Sequence, residues 1–169
     1  MERHDPDPTG NEQAILEQFL DYHRVTLLHK AEGLTADQLR QPLPTSSLTL
    51  AGLLKHLACV EDYWIQVRFL GDPEPDPWAS APWDDDPDWD LHSAEHDDPD
   101  ALRGLYRSAC ERTRQSLTTA SLDDLSVGVN REGQQWNLRW ILTHLVEETA
   151  RHNGHADLLR EAIDGSVGE

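Results

Sequence analysis

Proline fixes its own φ and lacks a backbone N–H, so the interior of a long helix must avoid it. The ten prolines of this 169-residue chain stand at 6, 8, 42, 44, 73, 75, 77, 82, 87 and 99. They leave three long proline-free stretches, and a polar, glycine-bearing run at 123–135 divides the last of these. Four helices are therefore expected. The first, about 12–33, repeats Leu16, Phe19, Leu20, Leu27 and Leu28 and ends on Gly33. The second, about 49–70, opens on Thr49 as N-cap, carries Leu50, Leu53, Leu54, Leu57, Val60, Trp64 and Val67, and stops at Gly71. The third starts at Asp98 and Pro99, a cap residue followed by a first-turn proline, and buries Leu102, Leu105, Tyr106, Ala109, Cys110, Thr113 and Leu117. The fourth runs from Asn137 to about Ile163, ahead of Gly165. No segment sustains strand alternation, and 126–136 allows at most a short hairpin around residues 130–133. The expectation is an all-α four-helix bundle forming a single domain over 1–169, with 1–10 as a flexible N-terminal tail.

Between the second and third helices, residues 71–99 hold Trp78, Trp83, Trp89 and six of the ten prolines, with no Lys or Arg. Twelve of the chain's 32 acidic residues lie within 72–100. A connection of this length can span a bundle, so the two helices that it joins can lie parallel instead of forming a hairpin. Two readings of the crossover are open: a solvated acidic loop pinned by its tryptophans, or a lid or partner-binding segment.

Against 32 acids the chain sets 14 bases, a formal net charge of −18. Such a charge repels phosphate backbones and anionic head groups, so neither nucleic acid nor a membrane surface is an expected partner. No apolar run approaches the roughly 20 residues that span a bilayer, and residues 1–10 lack the apolar stretch of a signal peptide. A soluble, cytoplasmic protein is expected. Cys59 and Cys110 lie within helical apolar patterns, which suits two buried free thiols in a reducing compartment better than a disulfide.

The chemistry is concentrated on the fourth helix. At 100° per residue, Leu145, Glu148, His152, His155, Leu159 and Ile163 all fall within about 40° of Ile141, on the core-facing stripe. A carboxylate and two imidazoles among apolar residues must be paired, hydrogen-bonded or bound to a metal. Glu148 and His152 are four apart, the spacing at which one helix face can grip one ion. His56 interrupts the apolar face of the second helix in the same way, beside Val60, Tyr63 and Val67. Two imidazoles and a carboxylate suit Zn²⁺, Ni²⁺, Mn²⁺ or Fe²⁺ and leave positions open for water or substrate. His144 stands on the edge of the stripe as a hydrogen-bonding group, and His155 is the reserve ligand. His4, His23, His29, His92 and His96 receive no role. The zinc-protease pattern HExxH is absent, as are a phosphate-binding glycine loop and a nucleophile elbow, so a peptidase is not expected.

The run from Thr49 through His56-Leu57, followed by Glu61-Asp62-Tyr63-Trp64, resembles the second helix of the DinB superfamily, whose first metal histidine stands in a Leu-x-His-Leu setting. The run from Leu138 to Glu161, with His144-Leu145-Val146-Glu147-Glu148 and His152-Asn153-Gly154-His155, resembles its last helix, particularly in the actinobacterial mini-circle-protein branch. The resemblance covers most of the chain but leaves the acidic insert at 71–99 unexplained. It implies a DinB-like four-helix bundle that holds a divalent metal on three side chains. Much of that superfamily uses three histidines. Here Glu148 replaces one, so the implied set is His56, Glu148 and His152, similar to the mycothiol-dependent maleylpyruvate isomerase branch.

The function expected on this basis is a metal-dependent thiol S-transferase or isomerase, with zinc or nickel foremost and iron or manganese as alternatives. A low-molecular-weight thiol such as mycothiol and an electrophile would be its small-molecule partners. His144 and His155 would act as catalytic groups that orient the ligands or move protons. The rival readings are a hydrolase using metal-activated water, a non-haem Fe(II) oxygenase, and a non-catalytic metal-stabilised bundle that binds a protein partner. A small amphipathic bundle is also compatible with a homodimer.

Overall fold

The computed structural model describes residues 2–167. Four long helices form the bundle: α1 (Glu12–Lys30), α2 (Leu50–Asp62), α3 (Pro99–Leu117) and α4 (Leu138–Asp164). The N-caps foreseen at Thr49 and Asp98 are made. Thr49, Asp98 and Asn137 each accept a backbone N–H in the first turn of their helix, and Gly165 closes α4 in the left-handed region at φ 78°. The first helix is shorter than its periodicity suggests. It ends at Lys30, Gly33 follows at φ 73°, and a short helical turn, Ala36–Leu39, begins with a capping box on Thr35. The second helix also departs from expectation, because its last turns, Tyr63–Phe69, are π-helical. The short hairpin that the sequence allows at most does form, from β1 (Leu125–Val129) and β2 (Gln135–Asn137), paired antiparallel.

Side-chain pairs fix the helix directions. Asp21 meets Arg114 while Ala31 receives Arg103, so α1 and α3 run antiparallel. Glu12 meets Arg139 and Lys30 meets Asp157, so α1 and α4 run parallel. Lys55 meets Asp97 and Glu61 meets Thr113, so α2 and α3 run parallel, an arrangement open only to helices joined by a long crossover.

The core is divided. One apolar cluster gathers Leu27, Leu53, Leu57, Trp78, Leu102, Tyr106 and Leu159; the other gathers Leu20, Ile65, Phe69, Leu117, Ile141 and Leu145. Between them the helices place buried polar residues: Arg24 from α1, Glu61 from α2, Thr113 from α3 and Thr149 from α4. Arg24 donates twice to Glu61, at 2.7 and 2.6 Å, and the Thr113 hydroxyl donates to the same carboxylate at 2.7 Å. Both partners of this ion pair are 2% exposed, and complete satisfaction of their polar atoms is what makes such a layer tolerable. Burial opposes the charge on Arg24, but the neighbouring Glu61 carboxylate keeps its guanidinium firmly protonated.

The acidic crossover is part of the fold. Trp78 is buried in the core and donates its indole N–H to Asp62 at 2.9 Å, and Trp83 donates to the carbonyl of Trp78. A short helical turn, Trp89–His92, lies against the start of α2. A Cβ on Gly52 would stand 3.0 Å from the Leu91 carbonyl, so glycine inside α2 permits this close approach. Lys55 adds a second tether, its ammonium 4.2 Å from the Trp89 ring and 2.6 Å from Asp97. The tryptophan-pinned reading of the segment holds, but the segment is not merely solvated, because it carries Asp90 inward.

Candidate metal centre

His56 lies under the turn that Gly52 and Lys55 hold in place, facing α4. Opposite it, one turn apart on α4, stand Glu148 and His152. The Nε2 of His56 is 3.6 Å and the Nε2 of His152 3.2 Å from the same oxygen, Oε1 of Glu148. Donor atoms of all three residues lie within 4.8 Å of one another, and the two imidazole rings meet edge-on at 4.9 Å. Their side chains are between 12 and 21% exposed, sheltered but open to a small ligand.

Each imidazole is held from its far side. The Nδ1–H of His56 donates to Oδ2 of Asp90 at 2.7 Å, which leaves Nε2 turned toward Glu148. The Nδ1 of His152 is 3.3 Å from Nδ1 of His155, so this second pair holds the ring with Nε2 toward Glu148. Burial opposes protonation of His56, yet the Asp90 bond and the Asp90 and Glu148 charges hold its pKa above the usual histidine value. His152 goes the other way, lowered by burial and by the adjacent His56 and His155. Two imidazoles and one carboxylate converging from two helices fit a divalent cation: the donor types match, and the His56 ring carries the far-side carboxylate that metal-binding histidines often have.

Thus the structure brings together His56, Glu148 and His152, the three ligands expected from the sequence. His155 stands behind His152 and is not among the converging donors. His144, one turn before Glu148, stacks on Trp140 at 5.2 Å and meets the Trp64 ring at 4.8 Å. His92 and His96 pair with Asp86 and Glu95 on the exposed side of the crossover. Cys59 and Cys110 are free thiols. Burial, with the Glu61 charge, pushes Cys110 up to about 12, and burial with the Asp90 charge pushes Cys59 higher still. Neither supplies a thiolate at neutral pH.

Sequence reasoning missed Asp90. It is one acid among eleven in the crossover, and nothing local distinguishes it. It also missed the aromatic wall beside His144, where Trp64 contacts both Trp136 and Trp140 at 5.2 Å.

YfiT from Bacillus subtilis, described as a probable metal-dependent hydrolase with an unusual four-helix bundle topology, has the same fold at a TM-score of 0.67. The two share 18% identity, with 97% of this chain and 95% of that one covered. No curated protein matches the chain. The sequence pattern of the mycothiol-S-transferases matches residues 15–165, nearly the whole bundle, and the chain belongs to that family, within the DinB superfamily.

Proposed function

We propose that this protein is a divalent-metal-dependent transferase or isomerase that joins a low-molecular-weight thiol to an electrophile, mycothiol being the thiol to which the family name points. The observation that carries the reading is the convergence of His56, Glu148 and His152 in a chain whose own two thiols are held protonated. A zinc or nickel ion on these three ligands would act as a Lewis acid, lowering the pKa of a thiol so that a thiolate is present at neutral pH. Asp90 and His155 hold the two imidazole ligands in orientation. His144, a turn from Glu148 and in contact with Trp64, is the group we assign to proton transfer at the substrate.

The test is elemental analysis of wild type, His56→Ala and Glu148→Gln in one mass-spectrometric run, beside an assay of thiol consumption with an alkylating electrophile. Near-stoichiometric metal in wild type, lost in both variants together with thiol consumption, is the expected result. Absence of metal from protein grown in metal-supplemented medium overturns the reading. The same ligands would also serve a hydrolase, the activity named for YfiT. Metal-dependent turnover of an ester or amide that leaves the thiol unconsumed would select that alternative.

A further inference from the structure

Where the π-helical turns that follow α2 meet the hairpin, Tyr63, Trp64, Arg68, Val129, Arg131 and Trp136 line an open pocket of about 320 Å³. Two glycines allow the hairpin to close it. A Cβ on Gly128 would stand 3.1 Å from the Arg68 carbonyl, and one on Gly71, at φ 75°, would stand 2.6 Å from Val127. The Trp64 and Trp136 rings meet at 89°, forming a corner in which a flat ligand has one indole against its face and the other against its edge.

The pocket carries positive charge in a protein of net charge −18. Both lysines and most arginines face carboxylates. Among the described residues, five arginines pair with no carboxylate, and two of these, Arg68 and Arg131, line this pocket. The Arg68 Nε–H donates to the Tyr63 hydroxyl at 2.7 Å, a second N–H reaches the same oxygen, and the guanidinium lies 4.7 Å above the Tyr63 ring. Its positive charge is therefore fixed in place without a counter-charge, poised for a bidentate acid group. The opposite wall leads to the metal centre, since Trp64 touches His144 and His144 stands one turn from Glu148.

We propose that this pocket binds the second substrate, a planar aromatic or conjugated carboxylate whose ring sits in the Trp64–Trp136 corner and whose carboxylate faces Arg68 and Arg131. The assignment of the occupant as the electrophile rests on the transferase reading above. Binding itself does not, so the two fail separately.

The test uses ¹⁵N-labelled full-length protein, both chelator-treated and zinc-loaded, titrated with cinnamate or cinnamamide. The six indole N–H signals are assigned by single Trp→Phe variants. Saturable shifts of the Trp64 and Trp136 signals with cinnamate in both metal states, with Trp78, Trp83 and Trp89 unmoved, are expected. Cinnamamide should bind about tenfold more weakly, and Arg68→Gln should lower cinnamate affinity by a similar factor. Arg131 is exposed in the hairpin turn, so Arg131→Gln, with a smaller loss expected, keeps the test sound if the Arg68 variant misfolds. Equal affinity for acid and amide, shifts at the crossover tryptophans instead, or movement of these signals on dilution alone, which would mark a contact between copies, overturns the proposal.

Discussion

Asp90 accepts the Nδ1–H of His56 at 2.7 Å, tying the acidic crossover to the residue that faces Glu148 from α2. A carboxylate behind a histidine fixes its tautomer and strengthens its donor nitrogen, and removing such a partner typically costs about 10–100-fold in metal affinity. Asp90→Asn should therefore bind zinc roughly tenfold or more weakly than wild type while keeping helical content. Competition with a chromophoric chelator measures the first, and circular dichroism the second.

Glu61 neutralises a guanidinium that is almost fully buried. Glu61→Gln leaves Arg24 charged with its principal partner gone, and breaking a buried pair in this way costs about 3–5 kcal/mol. Replacing Arg24 and Glu61 together by methionine should recover much of that loss, because no uncompensated charge remains. Urea unfolding of the three proteins measures the difference.

Burial alone would raise the Asp21 carboxyl, but the Arg114 hydrogen bond and the charges of Arg24 and Arg114 outweigh it and hold the pKa below the usual carboxylate value. The stabilisation is therefore fully present above the unfolded-state value near ~4 and is lost as pH falls through the lower folded value. Asp21 is partly exposed, so the neutral-pH cost of Asp21→Asn, discounted for solvent screening, should be about 1 kcal/mol. The gap between wild-type and Asp21→Asn urea midpoints should stay constant at neutral pH and close as pH falls below ~4.

Gly71 combines a left-handed φ of 75° with a missing Cβ that would stand 2.6 Å from Val127. Gly71→Ala should cost about 1–3 kcal/mol from backbone strain and displacement of the hairpin. Thermal unfolding measures the cost. Intrinsic fluorescence should change with it, because Trp136 leaves the corner it makes with Trp64.

Both thiols are held protonated, Cys110 up to about 12 and Cys59 further. In native protein a disulfide reagent should therefore label them far more slowly than it labels a free thiol at mildly alkaline pH, and both should react at once in denaturant. Fast native labelling of Cys59 would make it a rival nucleophile and weaken the case for an external thiol.

Local rules were enough for the four helices and for singling out His56, Glu148 and His152, the three residues that converge. The gaps between prolines, the cap residues Thr49, Asp98 and Asn137, and the 3.6-residue apolar repeat act through near neighbours, so they can be read along the chain. Glu148 and His152 share a face for the same reason, and their place among Leu145 and Leu159 marks them as polar groups that burial would not tolerate alone. The π-helical turns at Tyr63–Phe69 were not legible, because the hairpin packed on them through Gly128 comes from a distant part of the chain.

The sequence by itself determined that the chain is an all-α bundle with a long acidic crossover and two helices bearing potential ligands. Only the tertiary structure decided which of eleven crossover acids backs His56, that Arg24 pairs with Glu61, and that Trp64 and Trp136 make a corner beside Arg68. The physical reason is sequence separation. Helical faces follow from a short-range repeat, whereas these contacts join residues 34, 37 and 72 positions apart, where the chain's path through space, not its local composition, selects the partner.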